Sequence, residues 1–122
     1  MDYMLLIYND EQEWATFSDE ERAEIRREYF AVADELRAAG KYVAGAPLQP
    51  TSTASRVRTR EGETIITDGP FAESKEQLGG YFLVLADSVE EALEWAARLP
   101  ATRYGTVEVR PVLEIELPVA AR

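Results

Sequence analysis

The chain has 122 residues, 46% hydrophobic and 30% charged, with no cysteine and no histidine. That composition reads as one soluble globular domain with room for a core, and it excludes disulfides, thiolate chemistry and any imidazole base or ligand. The formal charge of −10 argues against nucleic acid as a partner, because phosphate backbones bind positive surfaces.

In chain order, the first predicted element is a strand over Tyr3–Tyr8 that is apolar on both faces. A short loop follows. "SDEE" then forms a capping box, with Ser18 as cap and Glu21 reaching back. The helix from Asp19 to about Ala39 puts Ile25, Tyr29, Val32 and Leu36 on one stripe, and Gly40 terminates it. "KYVAGAPL" is a short strand ending at Pro47. "SRVRTRE" and "ETIITDG" form a hairpin with Gly62 in its turn. "GGYFLVLAD" is a buried strand. "SVEE" repeats the capping-box pattern at Ser88 and Glu91, and its helix carries Ala92, Trp95, Ala96 and Leu99 on one face before Pro100. "GTVEVRPVLEI" is a strand with Val107 and Val109 alternating against Glu108 and Arg110. Alternation continues through Leu113, Ile115 and Leu117, and the tail is expected to fray from about Pro118.

The order is β-α-β, a hairpin, then β-α-β, which predicts an α+β fold: the ferredoxin-like βαββαβ plan with an inserted β-hairpin, in a single domain. Both long helices then cover one face of an antiparallel sheet. Strands "MLLIY" and "YFLVLA" do not alternate, so their second face must also be covered. A second copy of the sheet is the simplest cover, which predicts a homodimer through facing sheets. The alternative is that loops and the hairpin cover that face within a monomer. The longest apolar runs are too short to cross a membrane, no signal peptide is apparent, and the expected location is the cytoplasm. With no EF-hand spacing and no dinucleotide loop, neither a metal nor another cofactor is expected.

The densest stretch is "ITDGPFAESKEQLGGYFLVL", Ile66–Leu85. Asp68-Gly69-Pro70 is turn chemistry, and the Asp68 carboxylate suits an Asx-turn. Gly79 and Gly80, at a strand entry, suit a bulge or a close ligand. Lys75 lies between that turn and the glycine pair, and the hairpin strand carries Arg56 and Arg58 on one face. A carboxylate near these cations would keep its charge, and the cluster suits a small polar or anionic ligand. Phe71 reads as a buried plug if the motif is purely structural. Trp14 and Phe17, just before the first long helix, read as a weak staple or as a lid over a cleft.

"YMLLIYNDE", "TDGPFAESKEQLGGYFLV", "EALEWAARLP" and "GTVEVRPV" together resemble the YCII-related domain family, and specifically its DGPF branch, over about Tyr3 to Val112. The resemblance implies the dimeric α+β barrel, with ferredoxin-like chains paired through their sheets. It also implies a cleft in which the motif Asp, here Asp68, works beside a His that this chain lacks. Some DGPF members accompany extracytoplasmic-function sigma factors, so a sigma factor is an implied partner. Two functions follow. One is a small-molecule enzyme or enzyme relative, with Asp68 as acid/base, with Arg56, Arg58 and Lys75 on the substrate, and with Tyr8 or Tyr81 lining the pocket. The other is a non-catalytic binding or regulatory module, which the missing His favours.

Overall fold

The computed structural model describes residues 1–116. Among these the fold is α+β, with antiparallel sheets and three α-helices. Strand β1 (Asp2–Asn9) leads through helices α1 (Glu11–Thr16) and α2 (Asp19–Ala38) to β2 (Tyr42–Pro47). A hairpin of β3 (Ser55–Arg60) and β4 (Glu63–Asp68) follows. Then come β5 (Gln77–Leu85), α3 (Val89–Ala97) and β6 (Gly105–Pro111). The main sheet has four strands in the order β2-β5-β1-β6, and the hairpin forms a separate sheet of two.

The core lies between one face of the main sheet and the helices. Tyr3, Leu5 and Ile7 of β1 and Phe82 and Val84 of β5 point into it. They meet Val32, Ala33 and Leu36 of α2 and Ala92 and Ala96 of α3. Burial of these side chains is the main force holding the sheet to the helices, at about 25 cal/mol per Å² of apolar surface. The opposite face of the sheet carries Met4, Leu6 and Tyr8 of β1 beside Leu83, Tyr81 and Leu78 of β5, in that register.

Helix α2 begins with the full capping box: Ser18 Oγ accepts from Glu21 N at 3.0 Å, and the Glu21 carboxylate accepts from Ser18 N at 2.9 Å. Those bonds, with the Arg22 contact, hold the Glu21 carboxyl below its ordinary pKa. The second box forms only by half. Ser88 Oγ takes the Glu91 N–H at 3.2 Å, but the Glu91 carboxylate turns to Asp87 N at 2.8 Å and Lys41 Nζ at 3.1 Å. The lysine at the start of β2 competes for it, because a charged donor makes the stronger bond. α3 also ends at Ala97, so Leu99 is buried just beyond the helix rather than on its face.

Two further expectations are corrected. The loop after β1 contains α1, whose six residues are held from outside their own sequence. Asp10 caps it by accepting from Gln12 N at 2.9 Å, and the Arg22 guanidinium donates to the carbonyls of Trp14, Ala15 and Phe17 at its end. The last strand stops at Pro111, and residues 113–116 are exposed and outside any strand. The physical reason is that its partner runs out: Tyr3 pairs with Pro111, and Val112 N makes a last bond to Asp2 O at 2.9 Å. Leu117 and the tail from Pro118 lie outside the described residues.

Candidate functional site

Between α2, the core face of β5 and the segment after β2 lies a cleft of about 440 Å³. Its size suits a small organic molecule. Aromatic rings run along it as a row. Trp14 of α1 stands 6.0 Å from Tyr104, in the turn before β6. The Tyr104 hydroxyl lies 3.3 Å from that of Tyr29 on α2. The Tyr29 ring is 6.5 Å from Phe82 of β5, and Phe82 is 6.2 Å from Tyr42 of β2. Phe17 packs behind Trp14 and Tyr104, at 5.7 and 5.6 Å.

A guanidinium stands at each end of the row. Arg26 lies 5.8 Å above the Trp14 ring and Arg37 lies 4.3 Å above Tyr42, both at cation–π distance. Arg37 also pairs with Asp34 at 3.2 Å. Arg26 has no carboxylate partner among the described residues. Glu11 lines the cleft as well, but its carboxylate is committed to Thr51, accepting from N and Oγ1 at 2.9 Å each.

The two phenols are perturbed. Burial first, and then the bond to Tyr104, push the Tyr29 hydroxyl far above its ordinary pKa. Burial raises Tyr104 too, while its bond to Tyr29 acts in the opposite sense. Either hydroxyl can donate to the other, so the pair shares one proton and keeps a second.

Gly79 and Gly80 form part of the cleft wall. The β1–β5 register shifts between Ile7 and Tyr8, opposite these glycines, as a bulge would require. Gly80 has no room for a side chain, because a Cβ would fall 2.9 Å from the Ala46 carbonyl oxygen, whereas a Cβ on Gly79 would fall 2.8 Å from Asn9 Oδ1, a side-chain tip that can move.

The other residues expected from sequence are dispersed. Tyr81 borders the cleft from β5, but its register puts it with Leu6 on the opposite sheet face. Tyr8 lies on the opposite sheet face, 3.4 Å from the Glu108 carboxylate. Lys75 borders a second, separate notch with Asp10, Ser74 and Gln77, which shares Glu11 with the cleft. Arg56, Arg58 and Asp68 are all on the hairpin. Asp68 pairs with Ser55 and Arg56 with Thr67, so the carboxylate and the two arginines occupy opposite faces of the ribbon.

Asp68 is exposed and, among the described residues, forms no Asx-turn. Gly69 makes the corner instead, at φ +97°, with its N–H on Ala54 O at 2.7 Å. Phe71 is not a plug: it is 75% exposed, with the Arg58 guanidinium 5.5 Å from its ring. Among the described residues the hairpin pairs with no strand of the main sheet, so no strand pairing ties Phe71 to the core. The Arg56 Nε is buried without a hydrogen-bond partner among the described residues.

Sequence reasoning missed Arg26, Tyr42, Tyr104 and Glu11, and read Tyr29 only as core. One signal was available. Arg26, Phe30, Ala33 and Arg37 repeat at helical spacing beside the apolar stripe of α2, and all four line the cleft. A mixed aromatic and arginine stripe of that kind faces neither core nor plain solvent.

The YCII-related domain model matches residues 1–116. An uncharacterised protein of Rhizobium meliloti (strain 1021) is 44% identical over 114 residues, which is 90% of each chain. A match over nearly the whole chain, with a relative of that identity, places this protein in the YCII-related domain family.

Proposed function

We propose that this chain is a small-molecule-binding protein of the DGPF branch whose ligand site is the aromatic cleft over β5. The observation that carries the reading is the row of rings from Trp14 to Tyr42, open to solvent and flanked by the backbone of Gly79 and Gly80. A core has no use for an open apolar cleft of this size, and rings beside bare backbone are what a flat ligand needs. Titrating the protein with small aromatic compounds and following Trp14 fluorescence tests it; a Trp14 signal that none of them moves would end the reading.

Binding is favoured over turnover. Among the described residues the one carboxylate of the cleft wall, on Glu11, is already held by Thr51, and the phenols stay protonated at neutral pH. Asp68, the acid/base group that the DGPF resemblance suggests, stands on the hairpin and is not among the residues that line the cleft. An Asp68→Asn variant that binds normally but abolishes a turnover found later would restore the enzyme reading.

The working unit in this proposal is a homodimer of ferredoxin-like chains, a dimeric α+β barrel. Its support is the half-buried row of Met4, Leu6 and Tyr8 beside Leu83 and Tyr81, on the sheet face opposite the helices among the described residues. The exposed Val57 and Ile66, paired on one face of the hairpin, are a second uncovered surface. A two-stranded hairpin alone is marginal in water and gains from such cover. Light scattering decides this: a mass of one chain for the parent, or an unchanged dimer in Leu6→Glu, would count against it. A sigma factor is the further partner that the DGPF resemblance suggests, and the charge of −10 favours a basic surface on it.

A further inference from the structure

We infer that the cleft takes a planar aromatic carboxylic acid carrying a second oxygen on its ring, with the carboxylate at Arg26 and the ring oxygen at the Tyr29–Tyr104 pair. The inference rests on the ligand-binding reading above and names the class of ligand.

Three observations converge on it. The walls are rings, so the body of the ligand is flat and apolar; stacking and edge contacts reward an aromatic ring over an aliphatic chain. The charge at the mouth is positive and uncommitted: Arg26 stands over Trp14 with no carboxylate partner among the described residues. A guanidinium in that position pairs with a carboxylate through two parallel N–H bonds. A cationic ligand is disfavoured, because Arg26 and Arg37 already occupy the ring faces at both ends and Glu11 is held by Thr51.

The third observation is the phenol pair. The two hydroxyls lie 3.3 Å apart in the middle of an otherwise apolar row. One mutual bond uses one of the pair's two protons, so the accepting hydroxyl keeps its own for a second acceptor. A ring hydroxyl or carbonyl oxygen satisfies it. A ligand with no oxygen there would leave that donor unpaired, which discriminates more strongly than any loss of apolar contact.

The experiment is a fluorescence titration of the full chain with 4-hydroxybenzoate, benzoate and phenol. The Trp14→Phe variant, which retains only Trp95, identifies the Trp14 signal. Expected is the order 4-hydroxybenzoate, then benzoate, then phenol. Arg26→Gln should weaken both acids by about 10-fold or more and leave phenol unchanged, as loss of a charge-assisted bond does. Tyr104→Phe should weaken 4-hydroxybenzoate by about 2- to 10-fold and leave benzoate unchanged, as loss of a neutral bond does. Arg26 is exposed, so its loss does not endanger folding.

If phenol binds as well as the acids, or Arg26→Gln changes nothing, the assigned class is wrong while the cleft remains a binding site. If Tyr104→Phe weakens both acids equally, the phenol pair does not read the ring oxygen and that half of the assignment is wrong. If no aromatic compound perturbs Trp14, the binding reading falls and the inference falls with it.

Discussion

Arginines stand beside aromatic rings at the end of α3, where Arg98 covers Trp95, and in two regions that contrast with each other. In the α2 cleft, Arg26 and Arg37 cover Trp14 and Tyr42. On the hairpin side, Arg58 covers Phe71. The cleft is anchored from below. Its helix buries Val32, Ala33 and Leu36, and its strand buries Phe82 and Val84, so its rings are held by the same packing that folds the chain. The hairpin has no such floor, with Val57 65% and Ile66 70% exposed. Similar side chains therefore differ in what fixes them. Rings on a packed base form a site within one chain, whereas rings and arginines on a free ribbon depend on whatever the ribbon meets.

The largest expected effect tests that contrast directly. Leu36→Ala, at a fully buried position, should cost about 2–5 kcal/mol in urea unfolding. Ile66→Ala on the hairpin should cost under about 0.5 kcal/mol at low protein concentration, as exposed positions do. An Ile66 cost that grew with protein concentration would show the hairpin buried between copies, and would break the contrast.

Next in size is Gly80→Ala. Its Cβ would approach the Ala46 carbonyl oxygen to 2.9 Å, and the backbone there cannot swing away as a side chain tip can. The expected cost is about 1–3 kcal/mol, as for other overpacking changes, together with weaker binding in the cleft.

The phenols give a pH test confined to the cleft. Folding raises the Tyr29 pKa, so the folded state holds a proton that the unfolded chain releases. The associated stability is complete below the unfolded tyrosine value of about 10 and is lost as pH rises beyond it. Tyr29→Phe should flatten that alkaline fall in unfolding free energy. An equally steep fall in the variant would assign it to other groups.

The smallest effect is expected at the motif itself. Asp68 is exposed and caps nothing among the described residues, so Asp68→Ala should stay within about 0.5 kcal/mol of the parent. A loss of 1–2 kcal/mol, roughly the size of a lost cap, would show that Asp68 holds the fold in an assembly.

Much of the fold was legible because its determinants are local. The Ser18–Glu21 box, the stripe of α2, the hairpin turn at Glu61 and Gly62, and the buried β5 each announce themselves within a few residues. Elements held from a distance were not legible. α1 depends on Arg22 reaching back to its carbonyls, and Glu91 left its box for Lys41, 50 residues away. The end of β6 depends on where β1 begins.

The candidate site divides in the same way. Gly79 and Gly80 were marked by sequence as a place of close approach, because two glycines at a strand entry have few other uses. The rings that join them come from α1, α2, β2 and the turn before β6, and no spacing along the chain brings Trp14, Tyr29, Tyr42 and Tyr104 to one row.

The sequence by itself determined the α+β order of elements, the apolar second face of the main sheet and the absence of any imidazole chemistry. Periodicity, capping and composition are properties of neighbouring residues, so they survive without coordinates. Tertiary structure alone decided which arginines face rings, which carboxylate is already bonded, and on which side of the hairpin Asp68 stands. Those are matters of register and packing between distant segments, and a single residue of slip would reverse every one of them on a strand.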